Sequence, residues 1–289
     1  PMQLNITEED DQDIATALLK RLTLDEKISL LSGVDEFCIP AVERVGLKRI
    51  WCSDATLGLR GWNADVTDFP ASVAMAATFD IDLIEKVGDV LGKECRALGI
   101  GVLLAPGVNI TRVPVCGRNF EYFGEDPYLA GCMGISYVEG LQGPDTTPLA
   151  TLKHFVGHSF SEGGRNHAPV HIGMRELLNV FGLPFEMVIR EAKPGSVMPA
   201  YHDIDGDPCS GSRLLLHELL KRQWGFDGLV VADYEAPIQL FKDHHIASDP
   251  AEAAALAVHA GMDLELPSST CFKSGLHKAR SEERRVGKE

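Results

Sequence analysis

Four short apolar runs in this 289-residue chain end in side chains that can hold or move a charge. Asp54 follows "RIWCS", Lys153 and His154 follow "LATL", Tyr201 and His202 follow "SVMPA", and Asp233 follows "LVVA". A carboxylate at such a point can attack an electrophilic carbon, take up a proton, or cap the turn that comes next. A lysine can supply a fixed positive charge or, when desolvated, attack a carbonyl to form an imine. One ending of this kind carries little information, whereas four predict a common rim.

The elements that must position such a rim can be read around it. "GIGVLLAPGVN" and "MDLELP" bring the strand-like runs to six, and helix-like stretches such as "FDIDLIEKVGDVLGKECRALG", "SRLLLHELLKRQWG" and "DPAEAAALAVHAG" separate them. This alternation predicts a parallel sheet covered by helices. The runs do not alternate strictly between apolar and polar, as expected of strands buried on both faces. No dinucleotide-type glycine fingerprint occurs, because Leu103 and Leu104 stand where the third glycine would fall, and no phosphate-loop motif occurs either. The expected fold is therefore α/β, a TIM-type (β/α)8-like barrel, incomplete or irregular at its first strands. In such a barrel functional groups collect at the carboxyl ends of the strands, where the four charged endings lie. Two short helices open the chain, with Thr23 and Glu26 spaced as a capping box.

Composition excludes several classes of partner. A formal charge of −15 and a pI near 5.1 argue against nucleic acid, which is bound by clustered Lys and Arg. No apolar run approaches the roughly 20 residues needed to cross a bilayer, and the acidic start "PMQLNITEEDDQD" is unlike an export signal, so a soluble chain with no membrane partner is expected. Seven cysteines without a C-x-x-C pair predict reduced, mostly buried thiols and favour the cytoplasm. His154 and His158 are four apart, but Gly157 lies between them and no H-E-x-x-H occurs, so neither a metal nor another cofactor is expected.

Four stretches then carry a specific likeness. "GRNFEYFGEDPYL" (117 to 129), "KHFVGHSFSEGGRN" (153 to 166), "SVMPAYHDIDG" (196 to 206) and "WGFDGLVVADYEA" (224 to 236) resemble, in order and spacing, the amino-terminal barrel domain of glycoside hydrolase family three. The likeness covers roughly residues 10 to 275. It implies a retaining, exo-acting β-glycosidase, most simply a β-glucosidase, removing terminal β-D-glucosyl or xylosyl residues through a covalent glycosyl-aspartate. Asp233 would be the nucleophile. Asp54, Arg118, Lys153 and His154 would hold the hydroxyls of the terminal sugar, Met198 and Tyr201 would line its pocket, and Tyr234 would face the aglycone. Arg165 and Glu162 would be further rim contacts. Arg118 could instead pair with Glu121, Glu125 or Asp126. The chain departs from the family at Asp54-Ala55-Thr56, where Asp-Gly-Pro is usual, and at Ala232-Asp233-Tyr234, where Ser-Asp-Trp is usual.

Retaining hydrolysis also needs a second carboxyl about 5 Å from the nucleophile to protonate the leaving oxygen. No residue here presents itself for that role, and in relatives with this barrel it is usually a Glu from a following α/β domain. The expected organisation is a catalytic barrel over residues 1–279, a non-native or disordered tail over 280–289, and a missing C-terminal domain as partner, so that the fragment alone hydrolyses poorly. Two alternatives stay open: a β-N-acetylhexosaminidase of the same family, although Arg165-Asn166-His167 lacks the aspartate that would orient His167, and a Schiff-base aldolase using Lys153.

Overall fold

The computed structural model describes residues 8–62, 64–144 and 147–286. Its strands are β1 (Cys38–Ile39), β2 (Ile50–Asp54), β3 (Ile100–Leu104), β4 (Leu149–Phe155), β5 (Ser196–Pro199), β6 (Asp203–Ile204), β7 (Asp207–Pro208) and β8 (Leu229–Val230). β6 and β7 pair with each other, while the main sheet runs β1-β2-β3-β4-β5-β8. Every pairing in that sheet is parallel except β1 with β2.

Single bridges carry the sheet around to its start. Val231 bridges Leu264, Glu265 bridges Ser32, and Val34 bridges Cys38 of β1. Backbone hydrogen bonds support each junction: Ala232 N–H to the Leu264 carbonyl at 2.8 Å, Gly33 N–H to Glu265 at 2.8 Å, and Val34 N–H to Cys38 at 2.7 Å. The ring thus has eight members, two of them short extended segments near residues 32–34 and 264–266. All six strand-like runs of the sequence lie in it. The irregularity falls at its first members, where β1 is two residues long and runs against its neighbour.

Helices pack outside this ring, and two approach almost to backbone contact. Ile81–Leu98 starts at Asp80, whose carboxylate accepts the Leu83 N–H, stops at Gly99 in a left-handed conformation, and buries Ile84, Val87, Leu91 and Cys95. Its neighbour Pro127–Gln142 comes so near that a Cβ on Gly140 would strike the Glu85 carbonyl oxygen, and one on Gly88 would strike that of Tyr137. All seven cysteines are free, and only Cys132 is not buried. Burial pushes the thiols of Cys52, Cys95 and Cys209 up to about 12. No helix among the described residues is long and apolar enough to cross a membrane.

The last helix, Phe272–Val286, continues past residue 280, and residues 287–289 of the expected tail lie outside the described residues. Its start is tied to the barrel by one buried side chain. The Glu265 carboxyl accepts the backbone N–H groups of Thr270, Cys271 and Phe272 at 2.8 to 2.9 Å, the Thr270 hydroxyl at 2.6 Å, and the Ser32 hydroxyl at 3.2 Å. The same residue therefore joins the closing bridge of the ring to the helix that follows. Glu265→Ala leaves these buried donors without an acceptor and is expected to lower stability by about 2–4 kcal/mol in urea unfolding. A loss of less than about 0.5 kcal/mol would show that Glu265 does not fasten the ring.

Candidate active site

β2, β4 and β8 aim their carboxyl ends at one mouth, and the charged endings meet there. Lys153, His154 and Asp233 are all buried, so an ionic form of any of them needs a partner in place of water. Lys153 Nζ lies 3.1 Å from Asp54 Oδ1 and 4.0 Å from Glu121 Oε2. Glu121 in turn accepts two hydrogen bonds from Arg118, from Nε at 2.6 Å and Nη2 at 3.0 Å. The result is a chain of alternating sign, Asp54, Lys153, Glu121, Arg118. Lys153 Nζ donates in it to Asp54, whereas imine formation would need a free amine lone pair.

β4 delivers two adjacent side chains to this mouth, which a regular strand would send to opposite faces. The register of β4 against β5 shifts between Lys153 and Phe155, and such irregularities re-aim side chains. Asn109 then fixes the His154 backbone from both sides, accepting its N–H at 2.6 Å and donating to its carbonyl at 2.8 Å. The His154 ring is placed with Nε2 3.6 Å from Asp233 Oδ2. Burial first, and then the Arg118 charge, hold the His154 pKa well below the usual histidine range, so the imidazole is neutral and the contact is not an ion pair.

Asp233 sits at the end of small, buried residues, Val231 and Ala232, that pass between packed neighbours. Its Oδ1 accepts the Tyr234 N–H at 2.8 Å, whereas its buried Oδ2 has no hydrogen-bond partner among the described residues. Burial raises the Asp233 pKa, against the opposing effects of Arg118, Lys153, the Tyr201 hydroxyl and the Tyr234 N–H. The cations expected from the sequence do favour the carboxylate, but desolvation outweighs them.

The other expected residues divide. Tyr201 is buried with its ring 4.3 Å from that of His167, and burial raises its hydroxyl pKa. Tyr234 meets Phe37 edge-on at 5.6 Å, and its hydroxyl is buried without a partner among the described residues. Met198 opposes Lys153 in register and packs with Cys52, Val102, Leu104, Val231 and Leu264 as an apolar floor. Arg165 and Glu162 stay in their own loop: Arg165 is exposed with Nε on the Glu162 carbonyl at 3.3 Å, and Glu162 lies 3.5 Å from His171. Their neighbour Asn166 reaches the site instead, with Oδ1 2.9 Å from His158 Nε2 and 3.5 Å from Arg118 Nη1.

Sequence reasoning gave no site role to Asn109, Asn166 or Tyr122, and none but ion pairing to Glu121. Asn109 could have been found, since it too follows an apolar run, in "GVLLAPGVN". Beside the charge chain lies a cavity of about 510 Å³, lined by Asp54, Arg60, Asp68, Arg118, Phe120 and Glu121. That is within the range of small-ligand sites.

Comparison with known proteins fits this geometry to a family. The model for the glycosyl hydrolase family 3 N-terminal domain matches residues 19–283. A thermostable β-glucosidase B of Acetivibrio thermocellus is 38% identical over 263 residues, covering 87% of this chain and 33% of its own length. A β-xylosidase of Formosa agariphila is 36% identical over 272 residues, which are 91% of this chain and 37% of that protein. Among solved structures, β-glucosidase 3B of Thermotoga neapolitana in complex with α-D-glucose superposes with a TM-score of 0.81 at 32% identity, over 94% of this chain and 40% of that one. An exo-β-xylosidase of the same family bound to a xylobiose aziridine probe gives 0.85 at 29% identity, over 94% and 37%. The chain spans about a third of the length of the first of these relatives. With its TIM-type barrel, the order of its four motifs and this match over most of its length, the chain belongs to glycosyl hydrolase family 3, as the N-terminal domain.

Proposed function

We propose that the protein is the barrel portion of a retaining, exo-acting β-glycosidase, first of all a β-glucosidase, that removes terminal β-D-glucosyl or xylosyl residues. The observation that carries this reading is Asp233: a buried carboxyl at a strand end, with one oxygen anchored and the other lacking a donor among the described residues. In the proposed reaction the Asp233 carboxylate attacks the anomeric carbon while the glycosidic bond breaks and an acid protonates the departing oxygen. Water then attacks the glycosyl ester, giving its proton to the group that served as acid and releasing Asp233.

The charge chain suits a polyhydroxylated ring, because hydroxyls both donate and accept. Asp54 and Glu121 would accept from them, and Lys153 and Arg118 would donate to them. His154 meets the same sugar, Met198 lies under it, Tyr201 borders it, and Tyr234 faces the leaving group. The glucose bound to the Thermotoga neapolitana relative supports a sugar in this mouth. Asp54 and Glu121 are both engaged by cations, so neither is presented as the proton donor. The acid is proposed to come from a domain following this barrel in the complete protein.

Three outcomes test this reading. A 2-deoxy-2-fluoro glycoside should label the complete protein at Asp233, and a label mapped by peptide mass to any other residue overturns the assignment. The barrel alone should turn over an aryl β-glucoside on the order of 10³-fold or more slowly than the protein with its downstream domain, a general acid contributing about 10²–10⁴-fold; equal rates would place the acid within this chain. The third concerns stability. Because burial raises the folded-state pKa of Asp233 above its ordinary 3.8, the folded protein holds this proton more tightly, and the cost of the buried charge is absent at low pH and grows as pH rises. Asp233→Asn should therefore raise the thermal midpoint at pH 7 by a few degrees, corresponding to about 1–2 kcal/mol, with the advantage vanishing in acid below that ordinary value. An unchanged or lower midpoint at pH 7 would show that the carboxylate is not a strained group.

A further inference from the structure

Behind His154 lies a line of buried polar groups that the reaction above does not use. Tyr122 Oη is 3.2 Å from His154 Nδ1 and 2.8 Å from His158 Nδ1. His158 Nε2 is 2.9 Å from Asn166 Oδ1, which also faces Arg118 Nη1 at 3.5 Å. Tyr122, His154 and His158 are buried to 0% exposure, so water does not complete their bonding. Gly107 leaves room for the Tyr122 ring, which a Cβ there would meet at 2.9 Å.

The direction of every bond in this line follows from one end. Arg118 can only donate, so the Asn166 atom facing it is the acceptor oxygen. That oxygen also faces His158 Nε2, which must then carry a hydrogen. Burial and neighbouring positive groups hold the pKa of His158, like that of His154, well below the usual histidine range, so each ring has one N–H and one lone pair. His158 Nδ1 is therefore an acceptor and takes the single proton of Tyr122. The Tyr122 oxygen is left to accept from His154 Nδ1–H. Nothing remains on His154 Nε2 but its lone pair, and that atom faces Asp233 Oδ2 at 3.6 Å. Both atoms lack a hydrogen-bond partner among the described residues, as two facing acceptors would.

We propose that Asn166, His158 and Tyr122 form a positioning relay that fixes His154 as the Nδ1–H tautomer, so that its Nε2 offers Asp233 Oδ2 a lone pair and never an N–H. The relay keeps a His154 donor off this buried oxygen of the nucleophile, while Oδ1 is held by the Tyr234 N–H. Its catalytic meaning rests on Asp233 being the nucleophile, but the tautomer does not. The groups facing Asp233 are Arg118 from the loop after β3, Lys153 and His154 from β4, Tyr201 after β5, and its own neighbour Tyr234. Of these, the relay controls His154 alone.

Long-range ¹H–¹⁵N NMR of the full chain at pH 7 reads the tautomers directly, with the two rings assigned through His154→Gln and His158→Gln. The expected result is a bare Nε2 on His154 and a bare Nδ1 on His158. An Nε2–H on His154, or either ring as imidazolium, overturns the proposal. Tyr122→Phe gives a second readout: His154 should switch to Nε2–H and donate to Asp233, whose carboxyl midpoint, followed by ¹³C NMR, should fall by about one pH unit, a tenfold change in proton affinity. Asn166→Asp keeps an acceptor in place and should leave both tautomers as they are. A Tyr122→Phe protein with a native amide spectrum and an unmoved Asp233 midpoint also overturns the relay. Failure of the glycosidase reading would look different, as a 2-fluoro label away from Asp233 with the tautomers unaffected.

Discussion

A carboxyl taken out of water at the end of β8 is the constraint around which the rest of this protein is arranged. Burying Asp233 favours its neutral form, and the molecule opposes that preference with the charges of Arg118 and Lys153, the Tyr201 hydroxyl and the Tyr234 N–H. The two nearby cations bind other carboxylates, Lys153 on Asp54 and Arg118 on Glu121, and reach Asp233 only through their field. An N–H of the next residue holds Oδ1 in place. Three carboxyl groups against two cations leave the site, once Asp233 is ionised, with an excess of negative charge, which in the proposed reaction would favour the positive charge developing on the sugar ring.

Such a group needs a rigid support, and the ring of strands provides it. Asp233 follows Val231 and Ala232, whose backbones are hydrogen-bonded to β5 on one side and to the segment at Leu264 on the other. That segment is itself anchored by Glu265, which carries hydrogen bonds from both the first member of the ring and the last helix. The position of the Asp233 carboxyl therefore depends on a closure made of single bridges. Close helix packing on the outside, through Gly88 and Gly140, backs the wall at β3 and β4.

Histidine in this site works by direction of hydrogen bonding more than by charge. The low pKa of His154 removes it as a cation, and its orientation comes from Asn109 on the backbone and Tyr122 on the ring. A neutral imidazole has one donor and one acceptor, so whatever fixes one nitrogen decides what the other offers. His154 is thereby linked to residues in the loop that carries Asn166, and through it to Arg118, which already belongs to the charge chain.

The sequence by itself determined the alternation of strands and helices, the six main strand runs, and the rule that polar residues ending those runs share a rim. These are local properties, written in apolar periodicity and in the residue types at strand ends. Asp54, Lys153, His154, Tyr201 and Asp233 were all legible on that basis, and their likeness to a known family gave them roles. Tertiary structure alone decided the rest. The member of the ring near Ser32 is only a few residues long and carries no strand signal, and the bridge that closes the ring joins Ser32 to Glu265, more than two hundred positions away. Burial of Asp233 depends on neighbours from several strands, so the direction of its pKa shift could not be read from the cations beside it. Arg165 and Asn166 are adjacent in sequence and both polar, and the turn of their loop sends the neutral asparagine inward and leaves the charged arginine in solvent.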